Sequence, residues 1–163
     1  MKKLILFLFV FTIGFILLYK KEDKNILIPN NAIRFRIIAN SNNFDDQQIK
    51  IKIKEDLFNY MINGNYQVMN RGELIENLKS DINLNKIISK YASDYQIKYG
   101  YNYFPEKTYN GVMYPGGNYE SLVITLGKGK GDNWWCLLYP PLCFVDEDSN
   151  NYKSLVKEII NKI

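Results

Sequence analysis

The N-terminal residues form an apolar stretch with no polar face. Residues 4–19 are apolar apart from Thr12, and lysines flank the run on both sides. Sixteen helical residues span about 24 Å, which is short of the roughly 30 Å hydrocarbon core of a bilayer but longer than most signal-peptide cores. The residues that end the run are bulky, whereas a cleavage site requires small ones. The pattern predicts an uncleaved signal or anchor segment at residues 1–21, which contacts the membrane through residues 4–19 and leaves the rest of the chain outside the cytoplasm.

A polar tether at residues 22–32 precedes the first elements of a folded domain. Ile33 to Ala39 places apolar residues on one face and two arginines on the other, which is typical of a half-buried strand. Three helices are predicted after it, because apolar residues recur at helical spacing between capping residues and glycine. The predicted helices, with their inward residues, are Asp45 to Ile62 (Ile49, Ile53, Leu57, Met61), Gly72 to Leu78 (Leu74, Ile75, Leu78) and Leu84 to Ser93 (Ile87, Ile88, Tyr91), the last with Asn83 as its N-cap.

The second half of the chain is rich in aromatic and β-branched residues, which predicts β-strands. The sequence predicts a fold of class α+β at residues 33–163, with a small mixed or antiparallel sheet of about four strands and helices packed on one face. The predicted elements after residue 94 are a strand from Tyr95 to Phe104, a turn from Tyr114 to Asn118, strands from Tyr119 to Leu126 and from Trp134 to Tyr139, and a closing helix from Asn151 to Ile163.

Composition supports one ordered domain and argues against a nucleic-acid partner. The formal net charge of +4 comes from 21 basic and 17 acidic residues that are spread along the chain, and 47% of the residues are hydrophobic. Nucleic-acid binding requires Lys and Arg gathered on one face, and an exported chain rarely meets nucleic acid. We therefore expect a folded extracytoplasmic domain that binds no nucleic acid.

The chain contains no histidine. This excludes Ser-His and Cys-His catalysis and all histidine-containing metal sites, and two cysteines cannot complete a four-thiolate zinc site. Residues 146–150 begin like a calcium loop, but the required glycine and closing glutamate are missing, so a solvated acidic turn is predicted. The scattered acids Glu120, Asp132 and Asp146 show no spacing that marks a catalytic pair. The sequence therefore predicts no catalytic residues, no metal and no cofactor.

A glycine-rich stretch with two lysines, Gly127 to Gly131, allows two interpretations. Its backbone N–H groups could surround an anion, or it could connect two strands of a hairpin. The P-loop pattern of lysine followed by Ser or Thr is absent, and no long helix follows. The hairpin connection is the favoured interpretation.

Both cysteines and both tryptophans lie in the run from Gly127 to Asp146. Outside the cytoplasm we expect Cys136 and Cys143 to form a disulfide worth about 2–3 kcal/mol, with two buried free thiols as the alternative. Neighbouring strand residues point to opposite faces. We therefore expect one of Trp134 and Trp135 in the core and the other as an exposed or second-layer aromatic, where it can contact a protein or carbohydrate.

Two blocks of the sequence resemble the stage II sporulation protein R family of endospore-forming Firmicutes. The resemblance covers the whole predicted domain, and its most specific part is the run from Gly127 to Asp146. The N-terminal block comprises Arg36 to Ser41, Asp46-Gln47 and the lysines Lys50, Lys52 and Lys54; the C-terminal block comprises Phe104-Pro105, Tyr114 to Glu120 and Gly127 to Asp146.

The resemblance implies a signalling protein that is made in the forespore and exported to the space between forespore and mother cell. There it would activate a membrane-embedded aspartic protease, the sigma-E factor processing peptidase, which processes the sigma-E precursor in the mother cell. The family is not known for catalysis of its own. We expect the partner contacts to include Trp134, Trp135, Lys128 and Lys130. A cell-wall-binding module and a carboxylate-dependent envelope hydrolase are the alternatives.

Overall fold

The computed structural model describes residues 29, 31–109, 112–144 and 158–159. The predicted anchor, most of the tether and nearly all of the predicted closing helix at residues 151–163 lie outside these residues. Among the residues that are described, no helix is both long and apolar enough to cross a membrane.

The centre of the fold is a four-stranded mixed sheet. Its inner strands, β1 (Ile33–Ile38) and β5 (Gly117–Leu126), are parallel, and its outer strands, β2 (Tyr95–Phe104) and β6 (Asn133–Tyr139), pair antiparallel with β5 and β1 respectively. The order across the sheet is therefore β2-β5-β1-β6. The α+β class and the four predicted strands are confirmed, and the sheet is mixed because the long segment between β1 and β5 permits a parallel crossover.

Three helices lie between β1 and β2: α1 (Phe44–Asn63), α2 (Arg71–Ser80) and α3 (Ile82–Ile88). Asn43 caps α1 by accepting a hydrogen bond from the Asp46 N–H, and Asn70 and Glu73 form a capping box at the start of α2. The first two predicted helices are confirmed to within two residues at each end.

Helix α3 differs from its prediction at both ends. Its N-cap is Asp81 and not Asn83, because the Asp81 carboxylate accepts the Asn83 N–H at 2.8 Å. The helix ends at Ile88, and residues 89–91 form a turn. In this turn the Tyr91 hydroxyl donates to Asp56 of α1 at 2.9 Å, a tertiary contact that the local sequence did not reveal.

The main core lies between the three helices and one face of the sheet, as predicted. Three predicted inward residues, Ile49, Ile75 and Tyr91, are only half-buried, and Lys50, with 6% of its surface exposed, is buried next to Ile49. The fully buried residues of this core include Ile33, Phe35, Ile37, Leu122 and Ile124 from the strands and Ile53, Leu57, Met61, Leu74, Leu84 and Ile88 from the helices.

The opposite face of the sheet carries a smaller apolar cluster. A two-stranded sheet, β3 (Lys107–Tyr109) and β4 (Val112–Tyr114), covers one part of this face. Three-residue strands are too short to show alternation, and for this reason the sequence did not predict them. The cluster consists of Ala32, Val112, Tyr114, Leu137 and Leu142, with Trp135 and Ile159 packed against it.

Candidate functional site

Trp134 and Trp135 lie on opposite faces of β6. In the pairing with β1, Trp134 is opposite Ile37 on the helix-covered face, and Trp135 is opposite Arg36 on the other face. Both side chains are half-buried. The opposite orientation is as expected, but neither tryptophan is fully buried or fully exposed, because each face of the sheet has its own partial cover.

Trp134 packs under helix α1. Its ring meets Phe35 and Phe58 edge to face, with centroid distances of 5.8 and 5.0 Å. The Lys54 ammonium lies 5.8 Å from the same ring. These contacts give Trp134 a structural role, since they fix α1 against the sheet.

Trp135 borders a small cavity on the face of the sheet opposite helices α1 to α3. Its ring packs edge to face against Tyr114, with the centroids 4.8 Å apart. The cavity has a volume of about 120 Å³. We call it the arginine cleft, and it is lined by Arg34, Arg36, Phe104, Pro105, Lys107, Asn133 and Trp135.

Two arginines of β1 form the floor of the arginine cleft. Arg34 is 1% exposed; its guanidinium lies 3.5 Å from the Tyr119 ring centroid and donates to the Pro115 carbonyl at 3.1 Å. The Arg36 guanidinium lies 4.5 Å from the Phe104 ring centroid. Burial lowers the pKa of both guanidinium groups. The sequence pattern assigned these arginines to the polar side of a half-buried strand and gave no sign that aromatic rings would cover them.

A disulfide closes the corner after β6. The structure joins Cys136 of β6 to Cys143 in the 3₁₀ turn Leu142–Phe144, with the Cα atoms 5.3 Å apart. Both cysteines are buried, and the Tyr139–Pro140 peptide between them is cis. The disulfide ties the turn to the edge strand that carries both tryptophans.

Residues 127–132, which we call the glycine-lysine loop, connect β5 to β6 across the end of β1. Because β1 lies between these two strands, the predicted hairpin connection is wrong. A loop of this length is typical of a hairpin. Only the pairing of β6 with β1 shows that the two strands it joins are not neighbours. The lysines of the loop, Lys128 and Lys130, are exposed.

Every backbone N–H of the glycine-lysine loop donates to another group of the protein. No N–H in this loop therefore remains for a phosphate, and the anion-binding interpretation has no support. The six donors and their acceptors are Gly127 to Asp94 O, Lys128 to Asn40 Oδ1, Gly129 to Leu126 O, Lys130 to Asn40 O, Gly131 to Ala39 O and Asp132 to Asn42 Oδ1, over distances of 2.5 to 3.0 Å.

Asn40 and Ser41 connect the glycine-lysine loop to the start of α1. The Asn40 amide and the Ser41 hydroxyl donate to the same Asp46 carboxylate oxygen, at 2.8 and 2.6 Å. These hydrogen bonds, first that of Ser41 and then that of Asn40, lower the pKa of Asp46. An ionised carboxylate thus holds the end of β1 to α1, and Asn40 holds the loop.

Lys50 secures the other end of the loop. Its ammonium donates to Gln47 Oε1 at 2.5 Å and to the Asp132 carbonyl at 3.0 Å. Burial lowers the pKa of Lys50, and the negative charge of Asp132 partly offsets this effect. The sequence did not reveal this role, because Lys50, Lys52 and Lys54 look equivalent in an alternating stretch.

The four predicted contact residues do not form one surface. Lys128 and Lys130 project from a loop at the end of the sheet that leads directly into β6. Trp135 shares the face opposite helices α1 to α3 with the arginine cleft, whereas Trp134 lies on the other face beneath α1.

The candidate acids do not form a catalytic pair among the described residues. Glu120 forms an ion pair with Arg71 and accepts the Tyr99 hydroxyl at 2.8 Å. It lies opposite Ile33 at the start of β1, whereas Asp132 precedes β6 at the end of β1. The separation is roughly 16 Å at 3.3 Å per residue, which exceeds the roughly 5–9.5 Å that glycoside hydrolysis requires. The third candidate, Asp146, lies outside the described residues.

Within the same described ranges, no group of three or more His, Cys, Asp and Glu side chains could hold a metal ion. Burial raises the pKa of Tyr99, and the hydrogen bond to Glu120 raises it further. The Tyr99 hydroxyl thus remains a neutral donor to Glu120, and this cluster connects α2 to the sheet.

Comparisons with known proteins point to one family. The sequence profile described as stage II sporulation protein R matches residues 29–149. A Bacillus subtilis (strain 168) protein named stage II sporulation protein R is 36% identical over 134 residues, which cover 78% of this chain and 60% of the relative. The chain therefore spans less than two thirds of that relative's length. Neither description names an enzyme, and no solved structure matches.

Proposed function

Because the chain belongs to the stage II sporulation protein R family, we propose that it is an exported signal that activates a membrane-embedded aspartic protease during sporulation. That protease, the sigma-E factor processing peptidase, processes the sigma-E precursor in the mother cell. The observation that carries the proposal is the family match over residues 29–149. The site of action is extracytoplasmic, and the chain is anchored or secreted through the apolar run at residues 4–19.

Activation requires that the signal binds the active state of the protease more tightly than the inactive state. The glycine-lysine loop suits this task because its backbone is already held by six internal hydrogen bonds. A preorganised loop loses little conformational entropy on binding. Lys128 and Lys130 then supply two exposed positive charges for the partner. In this proposal Trp135 contributes to the same contact, and Trp134 supports the fold.

Coexpression in a host that does not sporulate tests the proposal. The host receives the protease and the sigma-E precursor, with or without this chain, and precursor cleavage is followed by immunoblot. We expect cleavage only when this chain and an active protease are both present. Equal cleavage with and without the chain would refute the proposal, and a protease variant lacking its catalytic aspartates shows that the cleavage is its own.

The contact surface is tested in the same host with two matched double variants. K128Q/K130Q removes two exposed charges from the loop, and K52Q/K86Q removes two exposed charges from helices α1 and α3. We expect the loop variant to lower cleavage severalfold and the helix variant to leave it unchanged. Equal cleavage with both variants, at equal protein levels, would exclude the loop from the contact.

The cell-wall-binding alternative relied on an exposed aromatic side chain. Both tryptophans are half-buried, and each packs against other rings. A stacking platform for sugars requires an open ring face, so the two tryptophans give this alternative little support. A pull-down of the purified chain on peptidoglycan, with and without W135A, tests it directly.

A further inference from the structure

We propose that the arginine cleft is a binding site for a carboxylate group presented by an acidic peptide of another protein. This inference does not depend on the proposed function, because binding to the cleft can be measured on the purified chain alone.

Among the described residues, the lining of the cleft contains three cations and no acidic side chain. Arg34, Arg36 and Lys107 all line it. The ion pairs Arg71–Glu120 and Lys90–Asp56 lie away from the cleft and place no carboxylate in it. Buried or half-buried cations are ordinarily paired, since burial without a counter-charge is unfavourable. A ligand that brings a negative charge would remove this imbalance.

The cleft also holds unused hydrogen-bond donors. The Nε atoms of Arg34 and Arg36 are both buried and have no hydrogen-bond partner. Buried donors in proteins almost always have an acceptor. Two unsatisfied guanidinium donors on neighbouring positions of one strand face therefore indicate a place for an acceptor from outside the chain.

The chemistry and size of the cleft favour a carboxylate. The rings of Tyr119 and Phe104 lie against the guanidinium groups of Arg34 and Arg36 at 3.5 and 4.5 Å. Stacking of this kind fixes the guanidinium planes, and a fixed planar fork matches a planar carboxylate. The volume of about 120 Å³ is below the roughly 300–1,000 Å³ of sites for drug-sized ligands, so a single side chain or a chain terminus fits.

The two neighbouring tryptophans provide the readout. The full chain is purified in non-ionic detergent with ¹⁵N-labelled tryptophan, and the two indole N–H resonances are assigned with W134F and W135F. The probe is a capped triglutamate peptide, compared with capped triglutamine and with inorganic phosphate. We expect triglutamate to shift the Trp135 resonance in a saturable manner, while the Trp134 resonance on the other face stays in place.

A pair of charge variants tests whether the cleft itself is responsible. R36Q removes a cation from the cleft, and K98Q removes one from the same row of the same sheet face, two strands away. We expect R36Q to weaken binding at least about tenfold, as for a lost charge-assisted hydrogen bond, and K98Q to leave it unchanged. R36K retains the charge but not the planar fork, so its affinity for triglutamate should lie between those of R36Q and K98Q. Arg36 is chosen because it is only half-buried, and thermal unfolding verifies that each variant is folded.

Three results would overturn the inference. The first is a Trp135 resonance that does not move, or that moves equally with phosphate. The second is an equal loss of binding in R36Q and K98Q. The third concerns a variant in which Asp146, Glu147 and Asp148 are neutralised together. If its Trp135 indole resonance is shifted in the absence of any peptide, the chain's own carboxylates occupy the cleft.

Discussion

Gly131 lies where the glycine-lysine loop passes over the end of β1. Its N–H donates to the Ala39 carbonyl at 2.9 Å, and a side chain at this position would overlap the Ser41 carbonyl. The neighbouring Gly127 has a φ of 50°, a left-handed conformation that favours glycine. Glycine is therefore required in this loop by close approach at one position and by backbone conformation at another.

G131A should lower the free energy of unfolding by about 1–3 kcal/mol, because the loop must move away from β1 to admit the methyl group. Urea denaturation followed by tryptophan fluorescence measures the change. G72A is the matched control: Gly72 lies in the first turn of α2, and a methyl group there meets only the Asn70 side chain at 3.3 Å. The control should change stability by less than about 1 kcal/mol, because the better helix propensity of alanine offsets the tight contact with the Asn70 oxygen that caps α2. If the urea concentration at the unfolding midpoint is the same for G131A as for the wild type, the loop moves away from β1 at little cost and the prediction is wrong.

The Cys136–Cys143 pair closes a short loop at the corner after β6. Reduction should lower the free energy of unfolding by about 2–3 kcal/mol, since a short loop still restricts the unfolded chain. Thermal unfolding with and without reductant measures the loss. C136S/C143S should match the reduced protein and should no longer respond to reductant. Alkylation of both cysteines in untreated protein, detected by mass spectrometry, would contradict the disulfide.

At the scale of elements, one carboxylate joins the end of β1 to the start of α1. Asp46 accepts hydrogen bonds from the Asn40 and Ser41 side chains, and its own N–H donates to Asn43 at 2.8 Å. The Asn40 side chain in turn accepts the Lys128 N–H of the glycine-lysine loop at 2.9 Å. A strand, a helix and a loop thus depend on one ionised group.

The pKa of Asp46 is lowered in the folded protein, chiefly by the Ser41 hydroxyl and next by the Asn40 amide. A group with a depressed folded pKa stabilises the fold above its unfolded pKa, which is about 3.9 for aspartate, and loses that contribution as the pH falls through the folded value. D46N should therefore be less stable than the wild type near pH 7. The difference should shrink as the pH falls below about 4.

Chemical denaturation of both proteins across the acidic range measures this difference. D45N is the control, because it changes the same charge at the same helix end, where the side chain is exposed and contacts neither Asn40 nor Ser41. A stability difference for D46N that stays constant with pH would exclude an ionised Asp46 as the link between β1 and α1.

On the scale of the whole molecule, the sheet has two different faces. One packs against helices α1 to α3 in the main core, and the other carries the arginine cleft. Trp134 belongs to the first, packed against Phe35 and Phe58, and Trp135 belongs to the second, beside the arginine cleft. Substitutions on the helix-covered face and in the glycine-lysine loop at the end of the sheet should differ in kind. Changes at Trp134 should act through stability, and changes at the loop lysines should act through the partner.

W134A should lower the free energy of unfolding by about 2–4 kcal/mol, because it removes a large half-buried ring between a helix and the sheet. K128Q/K130Q should change it by less than about 0.5 kcal/mol. In the coexpression assay, precursor cleavage per folded molecule should be retained by W134A and reduced by the lysine variant. The reverse order would place the contact on the helix-covered face.

Much of this fold follows from local patterns. Period-two and helical spacing identified β1, β2, β5, β6, α1 and α2, because each of these elements is long enough to bury one continuous face. The short β3 and β4 have no such pattern, and the ends of α3 depend on Asp81 and on a contact from Tyr91 to α1. The sequence offered both Asp81 and Asn83 as caps and could not choose between them, and the contact from Tyr91 joins segments that are neighbours only in space.

The candidate site divides in the same way. By itself, the sequence determined the family blocks, the absence of histidine chemistry and the lysine-bearing glycine loop, because each of these follows from residue identity. It also determined the opposite orientation of Trp134 and Trp135, which follows from the two-residue period of a strand. Only the tertiary structure decided that β6 pairs with β1 rather than with β5, that the loop's N–H groups are all occupied and that aromatic rings enclose Arg34 and Arg36. Strand order, hydrogen-bond satisfaction and burial depend on segments far apart in the chain, and no local pattern encodes which of them will meet.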